Sequence, residues 1–271
     1  MKALLARENR ELIDQLAFAN VLLAFDFDGT LAPIVADRHR AAMRPETARL
    51  FARVCERYPS AVISGRAKAD VERRLQGARV RYLIGNHGLE PGTRLGTFGR
   101  EVERARPLLE ASLAGRPGID IEDKRYSLAV HYRRAREKPR TREAIRRAVA
   151  ALPVPMRVIP GKLVVNVVPE AAPSKGDALV ALRDRADADV AMYIGDDVTD
   201  EDVFRLDQPG RLFTVRIGQS RSSAARYYLR QQREIDQLLK ALAALRERQS
   251  PRRPARRTRS ATRARRTGGA A

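Results

Sequence analysis

Asp26 and Asp28 stand two residues apart at the end of an apolar run, Val21-Leu22-Leu23-Ala24-Phe25, and Gly29 and Thr30 follow them. Two carboxylates this close repel one another unless a cation or a proton lies between them. The arrangement suits a divalent metal and a split of roles, one carboxylate as nucleophile and the other as acid/base. Three more polar groups follow apolar runs or open a helix: Ser64-Gly65-Arg66, Lys175-Gly176 and Gly195-Asp196-Asp197. A hydroxyl and a free backbone N–H at Ser64 and Gly65 would grip phosphate oxygens. Lys175 can neutralise an oxyanion, and Asp196 with Asp197 can complete an oxygen-rich site. Hard oxygen donors without histidine or thiolate favour Mg2+ over zinc.

These groups meet only if the apolar runs are parallel strands whose C-terminal ends share one edge of a sheet. The run before Asp26 is apolar at every position, as in a strand buried on both faces. If that strand continued, its period of two would aim Asp26 and Asp28 to the same side. The pattern then predicts a helix over Pro45–Tyr58, a strand over Ser60–Ile63, a helix over Ala67–Gln76 closed by Gly77, and a strand over Val80–Ile84. Between residues 92 and 169 the rhythm changes. A loop over 91–99, a helix over 101–113, alternating positions from Ile119 to Tyr132, a helix over 141–152 and two strands over 156–159 and 163–168 suggest a compact α+β insertion. Alternation then resumes, with a helix over 174–185, a strand over 190–194, a short helix over 200–206, a final strand over 212–217 and helical structure over 222–246. The expected fold is therefore α/β. A doubly wound, Rossmann-like parallel-sheet core (1–91 and 170–247) carries an inserted α+β cap (92–169).

Composition sets the remaining bounds. A hydrophobic content of 44% in 271 residues is ample for a core of this size. No apolar run approaches the roughly 20 residues that a membrane helix needs. The opening segment carries Glu8, Glu11 and Asp14, unlike a secretory signal, so a cytoplasmic location is expected. One cysteine, Cys55, excludes an intrachain disulfide and a cysteine-based zinc site. The net charge of +20 is skewed by eight arginines and no acid after residue 249. Residues 248–271 read as a disordered, Arg-rich tail that can touch polyanions weakly, and no aromatics accompany it to support specific nucleic-acid recognition.

The order DFDGT, ISGR, a helix-opening Lys-Gly and GDDVTDEDVF resembles the haloacid dehalogenase superfamily of phosphohydrolases. By that resemblance Asp26 attacks phosphorus to form an aspartyl-phosphate. Asp28 protonates the leaving oxygen and later deprotonates water. Mg2+ is held by the carboxylates of Asp26 and Asp196 and the carbonyl of Asp28, while Ser64, Gly65 and Lys175 hold the phosphoryl oxygens. With Gly85-Asn86-His87-Gly88-Leu89-Glu90, the Glu122–Arg133 stretch and Gly161–Val165, the chain resembles the trehalose-6-phosphate phosphatase family over residues 20–240. That implies trehalose 6-phosphate as substrate, with Asp26, Phe27, Asp28, Arg66, His87, Glu122, Lys124 and Asn166 around it. The family usually carries glutamate where Asn166 stands and arginine where Val168 stands. Another sugar phosphate, such as sucrose or glucosylglycerol phosphate, is therefore the alternative substrate. A sugar-phosphate mutase and a polyanion-binding protein are further readings.

Several residues stay open between two roles. His87 either lines the cleft or holds its loop by a hydrogen bond. Arg66 reaches phosphate or solvates a helix start. Asp197 supports a ligand shell or caps a helix, and so does Asp200; Glu201 is open in the same way. His131 reads as structural or surface.

Overall fold

The computed structural model describes residues 1–206 and 208–249; the Arg-rich segment 250–271, and the expectations attached to it, lie outside them. In chain order the elements are β1 (Lys2–Ala3), α1 (Arg10–Phe18), β2 (Val21–Phe25), α2 (Pro45–Cys55), β3 (Ser60–Ile63), α3 (Lys68–Arg74), β4 (Tyr82–Ile84), α4 (Leu95–Leu113), β5 (Asp120–Asp123), β6 (Leu128–His131), α5 (Lys138–Ala150), β7 (Met156–Gly161), β8 (Val164–Pro169), α6 (Lys175–Arg185), β9 (Val190–Gly195), α7 (Glu201–Phe204), β10 (Leu212–Ile217), β11 (Tyr227–Leu229) and α8 (Ile235–Gln249).

Every residue of β2 is fully buried because the strand lies inside a seven-stranded parallel sheet of order β1-β11-β10-β9-β2-β3-β4. Its side chains alternate between two apolar layers. Val21, Leu23 and Phe25 pack with α1, α2 and α8, while Leu22 and Ala24 pack with α6 and α7. Each such side chain contributes about 1.5–3 kcal/mol on burial, so a one-residue slip of β2 would forfeit both layers at once. From β2 the chain winds to β3 and β4 in one direction, and later to β9, β10 and β11 in the other. The topological switch point thus falls between the C-terminal ends of β2 and β9, and those ends carry Asp26 and Asp196.

The second sheet is antiparallel, of order β5-β6-β8-β7. Leu128, Val130, Val165 and Val167 face α4 and α5 in one apolar layer. The opposite face carries Ala129, Asn166 and Ile159 in register, with Arg157 directly across from Val168. Architecture of this kind, a parallel core with a separate antiparallel cap, is the expected fold class.

Local expectations differ in four places. The strand before Asp26 stops at Phe25, so Asp26 and Asp28 do not share a strand face. Helix α4 begins at Leu95, inside the stretch expected to be loop, and runs through Pro107 without ending. A proline costs a helix one hydrogen bond and a steric clash, a penalty that Phe98, Val102, Ala105, Leu109 and Leu113 outweigh by burial. The segment expected to be helical from 222 contains β11 instead, and β1 and β11 extend the sheet beyond β10, which was expected to be last. Helix α8 runs to Gln249, two residues into the segment assigned to the tail. Short, weakly alternating strands at a sheet edge leave little sequence signal.

Candidate active site

Beyond Phe25 the backbone turns sharply. Asp26 N–H still donates to Ile194 O at 2.8 Å, holding the residue beside β9. Gly29 adopts φ +81°, and a side chain there would meet Asp196: a Cβ would lie 2.1 Å from Asp196 Oδ2. Only glycine lets this turn pass so close to a carboxylate.

Lys175 is the first residue of α6, whose start is fixed by a capping box between Ser174 and Asp177. Its Nζ, almost fully buried, lies 2.9 Å from Asp26 Oδ1 and 2.8 Å from Asp200 Oδ1. Asp200 is the most heavily used carboxylate of the site. Its Oδ1 also accepts from Tyr193 Oη at 2.7 Å, and its Oδ2 accepts from the N–H groups of Asp196 and Asp197 at 2.8 and 2.9 Å. Asp200 thus fixes both Lys175 and the Gly195-Asp196-Asp197 turn, and it forms a capping box with Asp197 as well.

Oxygen atoms of Asp26, Asp196 and Asp200 lie within 4.8 Å of one another. Burial, only partly opposed by Lys175, raises the Asp26 carboxyl to about 7, with Asp200 and Asp28 adding to the rise. Burial and the neighbouring Asp26 and Asp200 push Asp196 well above the carboxylate range. Asp196 Oδ1 is buried without a hydrogen-bond partner among the described residues. Such an orphaned oxygen, in a cradle of hard donors that Gly29 leaves open, fits a divalent cation.

Asp28 points elsewhere. Its two oxygens accept from Arg66 Nε at 2.6 Å and Arg66 Nη2 at 2.7 Å. Arg66 also donates to Asp70 Oδ2 at 2.8 Å and to Arg38 O at 2.9 Å, so its guanidinium is held on three sides. Ser64 is buried at the end of β3, and its Oγ accepts the Arg66 N–H at 3.2 Å. Gly65 lies against the His87 ring, where a Cβ would sit 2.4 Å from Cε1. Phe27 has no exposed side-chain surface and packs in the core, and its carbonyl accepts from Ala32 N–H at 2.8 Å.

The cap reaches this edge through the turn after β5. Lys124 Nζ donates to Gly65 O at 3.1 Å and approaches Asn166 Oδ1 at 3.5 Å. Glu122 is bound to His131 Nε2 at 2.8 Å and Arg38 Nε at 3.5 Å. Burial works against its charge, yet His131, Lys124 and Arg38 hold it down at about 2. Asn86 donates to Glu90 Oε2 at 2.9 Å and Lys124 O at 3.2 Å, and accepts from Ser127 Oγ at 2.8 Å, riveting the core loop to the cap turn. His87 is 5% exposed, and neither ring nitrogen has a hydrogen bond of ordinary geometry among the described residues, although Asn166 is close. Burial, then Lys124 and Lys175, lower its basicity well below the usual histidine range.

Asp26, Lys175, Asp196 and Asp200 therefore converge, and Asp28 with Arg66, Ser64, Gly65, His87, Lys124 and Asn166 surround them. No role was assigned from sequence to Tyr193, Asn86, Glu90 or Arg38, although Asn86 and Glu90 stand in the Gly85–Glu90 motif. Tyr193 had a signal, since a hydroxyl in an otherwise apolar strand needs a buried partner. Arg38 is an ordinary polar residue with none.

The trehalose-phosphatase family profile matches residues 24–232, spanning core and cap together. The chain belongs to the trehalose-phosphatase family. Trehalose-phosphate phosphatase of Mycobacterium tuberculosis is 32% identical over 217 residues, covering 73% of this chain and 54% of that protein. Trehalose-phosphate phosphatase B of Arabidopsis thaliana is 27% identical over 258 residues, covering 86% and 68% respectively. The chain thus spans about half the length of the mycobacterial relative. The C-terminal domain of C. albicans trehalose-6-phosphate phosphatase superposes with a TM-score of 0.76 at 24% identity, covering 90% of this chain and 98% of that one. Aspergillus fumigatus trehalose-6-phosphate phosphatase superposes with a TM-score of 0.62 at 25% identity, covering 90% and 99%. The fold of this trehalose-phosphatase family member is accordingly the haloacid dehalogenase type, a Rossmann-like core with a cap.

Proposed function

We propose that this chain hydrolyses trehalose 6-phosphate to trehalose and inorganic phosphate, with Asp26 as nucleophile and a Mg2+ ion as cofactor. One observation carries the reading: Lys175 joins Asp26 and Asp200 beside an Asp196 oxygen that has no hydrogen-bond partner among the described residues. Asp26 attacks phosphorus, and the bond from phosphorus to the sugar oxygen breaks. Asp28 gives its proton to that leaving oxygen. In the second half, Asp28 takes a proton from water as the water oxygen bonds to phosphorus. The bond from phosphorus to Asp26 then breaks, and phosphate leaves with Asp28 protonated again. Each Asp28 oxygen accepts from Arg66, so the proton that Asp28 takes up and gives works against this ion pair.

The carboxylates of Asp26 and Asp196 and the carbonyl of Asp28 would hold the Mg2+, which supplies positive charge against the repulsion between carboxylate and phosphoryl group. Ser64, Gly65 and Lys175 serve the phosphoryl oxygens. Glu122, Lys124, Asn166 and His87 serve the sugar, where charged partners make strong hydrogen bonds to hydroxyls. Asp197 and Asp200 support the ligands. Cap closure over the cleft excludes bulk water and strengthens these interactions.

Asn166 favours a second reading, another sugar phosphate such as sucrose or glucosylglycerol phosphate, because an amide supplies no charge to a sugar hydroxyl. Release of free phosphate also separates either reading from a mutase. No helix among the described residues is long and apolar enough to cross a membrane; a cytoplasmic setting is part of the proposal. Profiling phosphate release from a panel of sugar phosphates, with Mg2+ and with chelator, tests it. Turnover of trehalose 6-phosphate that is indifferent to chelation would remove the metal role, and preference for another ester would move the substrate.

A further inference from the structure

Gln232 reaches the turn after β2 from the far end of the chain. Its Nε2 donates to Thr30 O at 2.8 Å and to Leu31 O at 3.3 Å. Both partners are carbonyls, so the amide nitrogen with its two N–H groups is the atom that must face them. The base of this side chain is held firmly. Gln232 opens a single helical turn, Gln232–Glu234, that leads into α8. Glu234 Oε2 accepts from Arg230 N–H at 2.7 Å, and Glu234 N–H donates to Gln231 O at 3.0 Å. Ile235 is fully buried in the same apolar layer as Phe27 and Leu31. Asp236 accepts from Thr47 Oγ1 at 2.6 Å and pairs with Arg44 at 2.9 Å, which ties the start of α8 to α2.

The turn that Gln232 meets carries Asp28 and Gly29. Main-chain bonds close it, from Gly29 N–H to Ala32 O at 2.7 Å and from Ala32 N–H to Phe27 O at 2.8 Å. Phe27, Leu31 and Ala32 are buried in the core, but apolar burial is non-directional and does not set the rotation of the peptide planes at Thr30 and Leu31. The Thr30 hydroxyl adds no hold, being buried without a hydrogen-bond partner among the described residues. Direction comes from the Gln232 amide. Gly29 packs so near Asp196 that no Cβ fits between them, so a rotation next door at Thr30 is felt at that carboxylate and at Asp28. We propose that Gln232 is a positioning residue. Through the carbonyls of Thr30 and Leu31 it fixes Asp28, and Gly29 against Asp196, and so sets turnover and Mg2+ affinity while leaving sugar binding alone. The inference rests on the phosphatase reading and adds to it a residue outside the cleft.

Gln232→Met keeps the length of the side chain and removes both donors, and Gln232→Glu keeps its shape and removes them too. Gln232→Lys returns N–H donors of similar reach. In the Met and Glu variants kcat for trehalose 6-phosphate is expected to fall at least about tenfold, with KM within about twofold of wild type. The Mg2+ dissociation constant, measured by calorimetric titration without substrate, is expected to rise at least about fivefold. Gln232→Lys should recover most of both losses. A purely structural role would lower the melting temperature and leave kcat and Mg2+ affinity of the folded protein as they are. That result, or a KM that rises as much as kcat falls, overturns the inference while wild-type turnover stands. Where the Met or Glu variant fails to fold, Gln232→Asn, whose amide is one carbon short, gives the same comparison. Failure of the wild-type chain to hydrolyse any sugar phosphate removes the phosphatase reading, and the calorimetric titration still decides whether Gln232 acts on the Mg2+ site.

Discussion

Asp200 holds Lys175 at 2.8 Å and in the same stroke receives the hydroxyl of Tyr193, so the lysine that touches Asp26 is itself held by a fully buried carboxylate. Removing one partner of a buried ion pair typically costs about 3–5 kcal/mol, because the other charge is left uncompensated. Asp200→Asn is therefore expected to lower thermal stability by several degrees and kcat by at least about tenfold. Calorimetry and steady-state kinetics on one preparation check both; unchanged kcat would show that Lys175 keeps its place without Asp200.

Asp26→Asn should abolish turnover and leave the fold intact. The amide is nearly the same size, cannot attack phosphorus, and removes a carboxyl whose burial disfavours its charge. Circular dichroism and phosphate release measure the two halves. Residual turnover above about 1% of wild type would put the nucleophile elsewhere.

Asp28→Asn should hurt sugar esters far more than activated ones. A sugar alkoxide needs a proton to leave, whereas p-nitrophenolate does not. The expected loss is about 10²–10⁴-fold for the sugar ester, with a much smaller effect on the first step for p-nitrophenyl phosphate. Burst kinetics with the two substrates decide the matter, and equal losses in that step would deny Asp28 the acid role.

The pH dependence of stability has a definite sign. The Asp26 carboxyl lies at about 7 in the folded chain against an ordinary 3.8. The folded state therefore holds its proton more tightly, and the stability this contributes is full below pH 4 and is lost as pH rises through 7. A divalent cation needs the carboxylate and reverses the loss. Saturating Mg2+ should raise the melting temperature more at pH 8 than at pH 5.5, and Asp26→Asn should flatten that difference. Equal shifts at both pH values would place the cation away from Asp26.

Gly29→Ala should disable the site from the backbone. Alanine is strained at φ +81°, by about 1–2 kcal/mol, and its Cβ would collide with Asp196 Oδ2. Loss of turnover together with loss of Mg2+-dependent stabilisation is expected. A variant that keeps both would show that the turn can open by itself.

Much of this was legible in the sequence. The strand leading to Asp26 is apolar at every position because it is buried on both faces, and that pattern has few other meanings. Lys175 was readable as the lysine of a helix-opening Lys-Gly pair, and it is the first residue of α6. The direction of Asp28 was not readable, because it depends on where the strand stops and on Arg66, 38 residues away. Asn86 was equally hidden, since its partners Ser127 and Lys124 come from another sheet. The extent of α4 was obscured by Gly96, Gly99 and Pro107, whose poor helix propensity is overridden by the apolar stripe packed beneath them.

The large sheet ends at one rim in β1, a strand of two residues, and at the other in β4, a strand of three. Rims so short offer a foreign strand few unpaired N–H and C=O groups to bind. At the second rim the guanidinium groups of Arg81 and Arg185 also lie 5.4 and 5.8 Å from the centre of the Tyr82 ring. Seven parallel strands can therefore be exposed to crowded solution without becoming a template for fibre growth.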